Sequence, residues 1–124
     1  LGNVDNTSNA TERAAARTLT NARITKRSLS SSNDTTLDID TDLYDYAEDT
    51  GLTGAVTVTW SGTPTVGQTL WVSLTGTAAR GITWDTDFEA STVALPTTTV
   101  TTARLDVGFI WNAATSKFRC IAAA

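Results

Sequence analysis

The stretch from Ala103 to Asn112 places Leu105, Val107, Phe109 and Trp111 at every second position, with Asp106, Gly108, Ile110 and Asn112 between them. A period of two belongs to a pleated strand with one buried face and does not suit a helix. Gly54 to Trp60 repeats it with Val56, Val58 and Trp60, and Gln68 to Thr75 with Leu70, Val72 and Leu74. These apolar positions are the expected core. A slip of one residue would expose a whole set, so the pattern fixes strand register strongly. Ser116 to Ala122 follows an Asn-Ala-Ala-Thr loop and aligns Phe118 with Cys120, which predicts a hairpin over Arg104 to Ala122.

Weaker alternation marks Lys26 to Ser31, Thr36 to Ile39, Leu43 to Glu48 and Gly81 to Trp84. Ser32-Asn33-Asp34, Asp49-Thr50-Gly51, Ser61-Gly62-Thr63-Pro64 and Thr75-Gly76-Thr77 punctuate these runs as turns. Threonine supplies about a fifth of the residues, well above average usage, and suits a half-buried pleated surface. Roughly eight short strands at this spacing predict an all-β fold, an antiparallel β-sandwich or jelly-roll-like domain. No amphipathic helix is long enough for a βαβ crossover, so a parallel α/β sheet is not expected.

The first two dozen residues read differently. Asn9 followed by Glu12 fits a helix start, and Ala14, Ala15 and Ala16 favour a short helix fading near Leu19. Such a helix needs a packing partner, either its own domain or copies of itself. The expected organisation is therefore a connector over residues 1–24, with a short helix that forms oligomers, and a β domain over residues 25–124. The chain opens at Leu1 without methionine or a charged-then-apolar leader, and so reads as a segment of something longer.

Composition narrows the chemistry. A net charge of -4 argues against a phosphate-binding face, so nucleic acid is not an expected partner. No apolar run approaches a membrane span. Histidine is absent, which removes the usual general base and the commonest neutral metal ligand. The single cysteine, Cys120, shares a face with Phe118 and reads as a small buried hydrophobe. The expectation is a protein that binds and does not catalyse, with no cofactor and no catalytic or metal site. Two acidic runs offer alternatives. Asp38, Asp40 and Asp42 alternate as in the opening of a calcium loop, but Leu43 stands where that loop needs glycine. Asp85, Asp87 and Glu89 lie beside Trp84 and Phe88 and could supply the acid pair of a glycosidase, whereas a solvated loop requires nothing further.

The tryptophans divide by face. Trp60 and Trp111 align with core positions, while Trp71 opposes Leu70 and Val72 and points outward. Ile110 and Ile121 are likewise outward. Trp71, Ile110, Ile121 and Leu19 are thus the candidate residues of an oligomer interface, and Trp84, Asp85 and Asp87 the candidates for surface recognition. Arg80, before Ile82 and Trp84, is expected to pair with a nearby carboxylate.

Several segments resemble bacteriophage virion proteins. Leu1-Gly-Asn-Val-Asp-Asn-Thr-Ser8 is similar to a segment recurring in tail fibres, which there continues Asp-Ala-Asn-Lys-Pro; this chain departs from it with Asn9-Ala10-Thr11-Glu12-Arg13. Leu19-Thr-Asn-Ala-Arg-Ile-Thr-Lys-Arg27 resembles the stretch that precedes a β domain in such proteins. The β domain itself is matched at Gly62-Thr-Pro-Thr-Val-Gly-Gln-Thr-Leu70, Thr77-Ala-Ala-Arg-Gly-Ile-Thr-Trp84, Ala94-Leu-Pro-Thr97, Leu105-Asp-Val-Gly-Phe-Ile-Trp-Asn112 and Ser116-Lys-Phe118. The resemblance implies a virion structural protein, foremost the C-terminal, host-contacting domain of a trimeric tail fibre. It would act with other virion proteins and a host cell-surface glycan or protein. A head fibre or capsid decoration protein is the alternative, and a polysaccharide depolymerase fragment a third reading. No catalytic motif comes with the resemblance.

Overall fold

The structure, a computed structural model, describes residues 20, 21, 23 and 25–124. The expected helix from Asn9 to Leu19, and with it the interface candidate Leu19, lies outside the described residues. Among those described there are nine strands and no helix: β1 (Ser28–Ser32), β2 (Thr36–Asp40), β3 (Tyr46–Leu52), β4 (Val56–Ser61), β5 (Thr69–Gly76), β6 (Ile82–Trp84), β7 (Phe88–Glu89), β8 (Leu105–Asn112) and β9 (Lys117–Ala123).

The chain is all-β, but its strand directions correct the antiparallel expectation. A six-stranded sheet runs β1-β3-β5-β8-β9-β7 and a three-stranded sheet runs β2-β4-β6. β1, β3 and β5 pair in parallel, as do β2, β4 and β6; only β5/β8 and β8/β9 are antiparallel. From β1 to β6 the backbone therefore alternates between the sheets and winds as a coil. A parallel pair needs a crossover of about a dozen residues or more. Here a strand of the opposite sheet supplies it, which is why the absence of long helices did not forbid parallel pairing. The hairpin of β8 and β9 is present as the sequence predicts, with Trp111 opposite Phe118.

Both sheets turn their apolar sides to one core. Val56, Val58, Leu70, Val72, Leu74, Leu105, Val107 and Phe109 are buried, and Trp60 and Trp111 pack half-buried against them. Leu37, Ile39, Ala47, Leu52, Ile82, Phe88, Phe118 and Cys120 complete the buried set. Trp60 stands edge-on to Phe118 (5.2 Å) and Trp111 (5.3 Å), joining the three-stranded sheet to the β8–β9 hairpin. In β3 the register shifts between Asp49 and Leu52, and Gly51 takes φ 67° there. A bulge with one residue in the left-handed region favours glycine at that point. Arg80 makes no ion pair among the described residues. Its Nε donates to the Leu52 carbonyl (3.2 Å) and its terminal nitrogen to Thr77 Oγ1 (2.8 Å), so it ties a loop to β3.

Candidate interaction face

The outer surface of the six-stranded sheet is ordered by register. Ser28, Tyr46, Trp71, Gly108 and Ala122 are opposite one another in turn across β1, β3, β5, β8 and β9. The six-membered ring of Trp71 lies on Gly108: a Cβ built there would stand 2.7–2.9 Å from Cη2, Cζ3 and Cζ2. Only a residue without a side chain leaves room for the indole at this point of the sheet. Ile110 is two positions along β8 on the same face and opposes Thr69 and Arg119. Diagonal neighbours of this kind are within reach of large side chains. Between Gly108/Ala122 and Phe109/Cys120 the β8–β9 register shifts, and Ile121 is the extra residue, 44% exposed. The structure thus places Trp71, Ile110 and Ile121 on neighbouring strands, the first two half-buried.

A polar row runs alongside. Ser30 Oγ donates to Glu48 Oε1 (3.0 Å), Ser73 Oγ donates to Asp106 Oδ1, and Arg104 Nε donates to the same Asp106 oxygen (2.6 Å). Burial works to raise the Asp106 pKa, but the Ser73 and Arg104 hydrogen bonds and the Arg104 charge outweigh it and hold the carboxyl below its ordinary value. Beyond Ile110, Asn112 Nδ2 donates to Glu89 Oε2 (2.9 Å). Glu89 is held low by hydrogen bonds from Thr115 and Asn112 and by the charges of Arg119 and Lys117. The face thus sets an aromatic ring and apolar neighbours beside a row of hydrogen-bonded polar side chains, with one ion pair, Arg104–Asp106.

The other candidates are placed differently. Trp84 turns inward: its ring packs edge-on against Phe88 and Phe109, both at 5.2 Å, and its Nε1 donates to the Pro96 carbonyl (2.7 Å). Asp85 accepts the backbone N–H of Thr86 (2.7 Å), and the carbonyl of Asp87 accepts Trp60 Nε1 (3.1 Å) and the Phe118 N–H. The oxygens of Asp38, Asp40 and Asp42 accept from Thr59, from the Asp42 N–H and from Thr63 respectively. No three acidic side chains converge on a metal position among the described residues. Cys120 is fully buried, and burial pushes its thiol pKa up.

Sequence reasoning sets Ser73 beside Trp71 and Gly108 beside Ile110 on the outward sides of their strands, but does not join them, and it missed Tyr46 and Arg104 as members of the outer face. Alternation marks each as outward or as a gap, but only the pairing of β3, β5 and β8 assembles them. Compared with family models, curated proteins and solved structures, the chain matches none.

Proposed function

We propose that this chain is the C-terminal, host-contacting β domain of a trimeric bacteriophage tail fibre, a binding module of the virion without enzymatic activity. The observation that carries the assembly is Trp71 laid on Gly108, with Ile110 and Ile121 beside it. A contiguous apolar patch on an outer sheet surface marks an interaction site, and a closed homo-oligomer covers such a patch symmetrically. The resemblance of residues 1–27 and of the Gly62–Leu70, Thr77–Trp84 and Leu105–Asn112 stretches to phage virion segments supplies the setting. Within that setting the two packed sheets are read as a sandwich-like scaffold that holds its loops rigid for contact with a host surface glycan or protein.

Sedimentation of the isolated chain tests the assembly. The expected result is a trimer at micromolar concentration, reduced to monomer by Trp71→Asp or Ile110→Asp. A soluble monomer unaffected by either change would refute it. An antibody against the chain, applied to intact virions, tests the position. Label at the tail tip supports the fibre reading, and label over the capsid supports the head-fibre alternative instead.

A further inference from the structure

Asn33 and Asp34 make the turn between β1 and β2, and groups from elsewhere in the fold converge on the pair. Asn33 is exposed and takes φ 55°, a left-handed conformation that asparagine tolerates. Its N–H donates to the Thr50 carbonyl (2.9 Å). Its side-chain oxygen accepts twice from the β3–β4 loop, from Thr53 N–H at 2.9 Å and Thr53 Oγ1 at 3.1 Å. The next backbone N–H, that of Asp34, meets the Asp49 carboxylate, 3.2 Å from Oδ2 and 3.4 Å from Oδ1. Asp49 is fully buried on β3. Its neighbours across β1 and β5 are Ser31 and Leu74, and among the described residues Asp34 is the charged group that faces it. Ser31 Oγ donates to the Asp34 carboxylate and ties that side chain to β1.

We propose that this turn is a self-modification site, at which Asn33 converts to aspartate and isoaspartate through a cyclic imide. In that reaction Asp34 N attacks Asn33 Cγ and closes a five-membered ring. An unstructured chain is held back by the weak acidity of the backbone N–H and by the charge that gathers on the side-chain oxygen. The fold sets a group against each. Asp49 is where a general base takes the Asp34 proton, and burial, which raises its pKa, makes it a stronger base. Thr53 offers two donors to the oxygen that turns anionic, the arrangement of an oxyanion hole. Nucleophile and electrophile belong to consecutive residues of a turn held from both sides, so little freedom is lost on ring closure. The N–Cγ bond forms as the proton passes to Asp49. The proton then returns to Nδ2, the Cγ–Nδ2 bond breaks, and ammonia leaves into solvent from the exposed turn. Water opens the imide at either carbonyl, giving aspartate or isoaspartate. The product adds a negative charge beside Asp34 and Asp49. The site does not depend on the trimer, because no residue of the outer sheet face takes part.

Incubation of the full chain at neutral pH, followed by peptide mass spectrometry and enzymatic methylation of isoaspartate, tests the proposal. The reference is the same chain unfolded in urea. The expected result is that Asn33 converts at least about tenfold faster in the folded chain, well within what a positioned base supplies, while Asn112 converts no faster. Asp49→Asn keeps an acceptor for the Asp34 N–H but no base, so the turn stays held and Asn33 should fall back to the unfolded rate. Thr53→Val removes one of the two donors and should slow the reaction in part. The pH profile separates a base from a mere support. With Asp49 as the base, the folded rate levels off once that carboxyl is ionised, whereas the unfolded rate keeps rising with hydroxide. An Asn33 that converts no faster folded than unfolded would overturn the proposal. So would an unchanged rate in Asp49→Asn, or a folded rate that follows hydroxide throughout.

Discussion

Asp34 donates its backbone N–H to both carboxylate oxygens of Asp49, at 3.2 and 3.4 Å, across the turn that joins β1 to β2. Asp49 is fully buried on β3, opposite Ser31 and Leu74. Burial pushes its pKa up, and the charge of Asp34 adds to this, against the backbone hydrogen bonds from Asp34 and Asn33. A carboxyl whose folded pKa lies above its unfolded value contributes stability that is complete below the unfolded value and is lost as pH rises through the folded one. Asp49→Asn keeps an oxygen for the Asp34 N–H and removes the charge. It should therefore raise the urea midpoint at pH 7 by more than at pH 4. An equal effect at both values would contradict the argument.

The opposite sign applies to Asp45. Arg27 Nε and a terminal nitrogen reach its two oxygens at 2.8 and 2.7 Å, while the other terminal nitrogen donates to the Asp42 carbonyl (2.7 Å). The Arg27 hydrogen bond holds the Asp45 carboxyl below its ordinary value. Its stabilising effect is present above the ordinary carboxylate pKa and is lost as pH falls through the depressed value. Both groups reach solvent, so the effect is small and screened by salt. Arg27→Ala should weaken the chain at neutral pH and low salt, and the difference should shrink in 1 M salt and at pH 2.5. Urea titrations under the three conditions would show it.

How much of this was legible in the sequence depends on the length of each alternating run. β5 and β8 are legible with their inward faces, because each carries at least three large apolar residues at period two. β7 was missed: two residues cannot show a period, and Phe88 is buried by pairing with Phe118 on β9. Strand direction was not legible either. Whether Leu37 follows a hairpin or a crossover depends on which sheet the next strand joins, and that is decided by packing between sheets. The site followed the same rule. Leu70 and Val72 mark Trp71 as outward, but its partner Gly108 is distant in sequence and carries no signal of its own. Trp84, next to three acidic residues, has the composition of an exposed loop, yet Phe88 and Phe109 draw its ring inside.

Phe109 sits where the two sheets meet. It is fully buried, touches Trp84 (5.2 Å) and Phe88 (4.9 Å) ring to ring, and opposes Leu70 and Cys120 on its neighbouring strands. Phe109→Ala removes contacts with both sheets at once and should cost about 3–5 kcal/mol, the range for a buried aromatic. Denaturant unfolding measures it. A loss under about 1 kcal/mol, as surface changes give, would show that the core does not close around this ring.

Gly108 and Trp71 give the sharpest test of the outer face, because they can be changed separately. Gly108→Ala introduces a methyl group within 2.9 Å of three ring carbons of Trp71, closer than the two can stay, so the ring must move. The indole must lift from the sheet, at a cost of about 1–3 kcal/mol, typical of overpacking. Trp71→Ala alone loses the ring's own contacts. In the double variant the added methyl meets no ring, so its effect should be near zero or favourable, since alanine suits a strand better than glycine. The two changes are therefore expected to be strongly non-additive, with a coupling of at least about 1 kcal/mol. Urea unfolding of the wild type, both single variants and the double variant gives that coupling directly. Additive losses would mean that the indole does not rest on Gly108, and the proposed trimer interface would lose its centre.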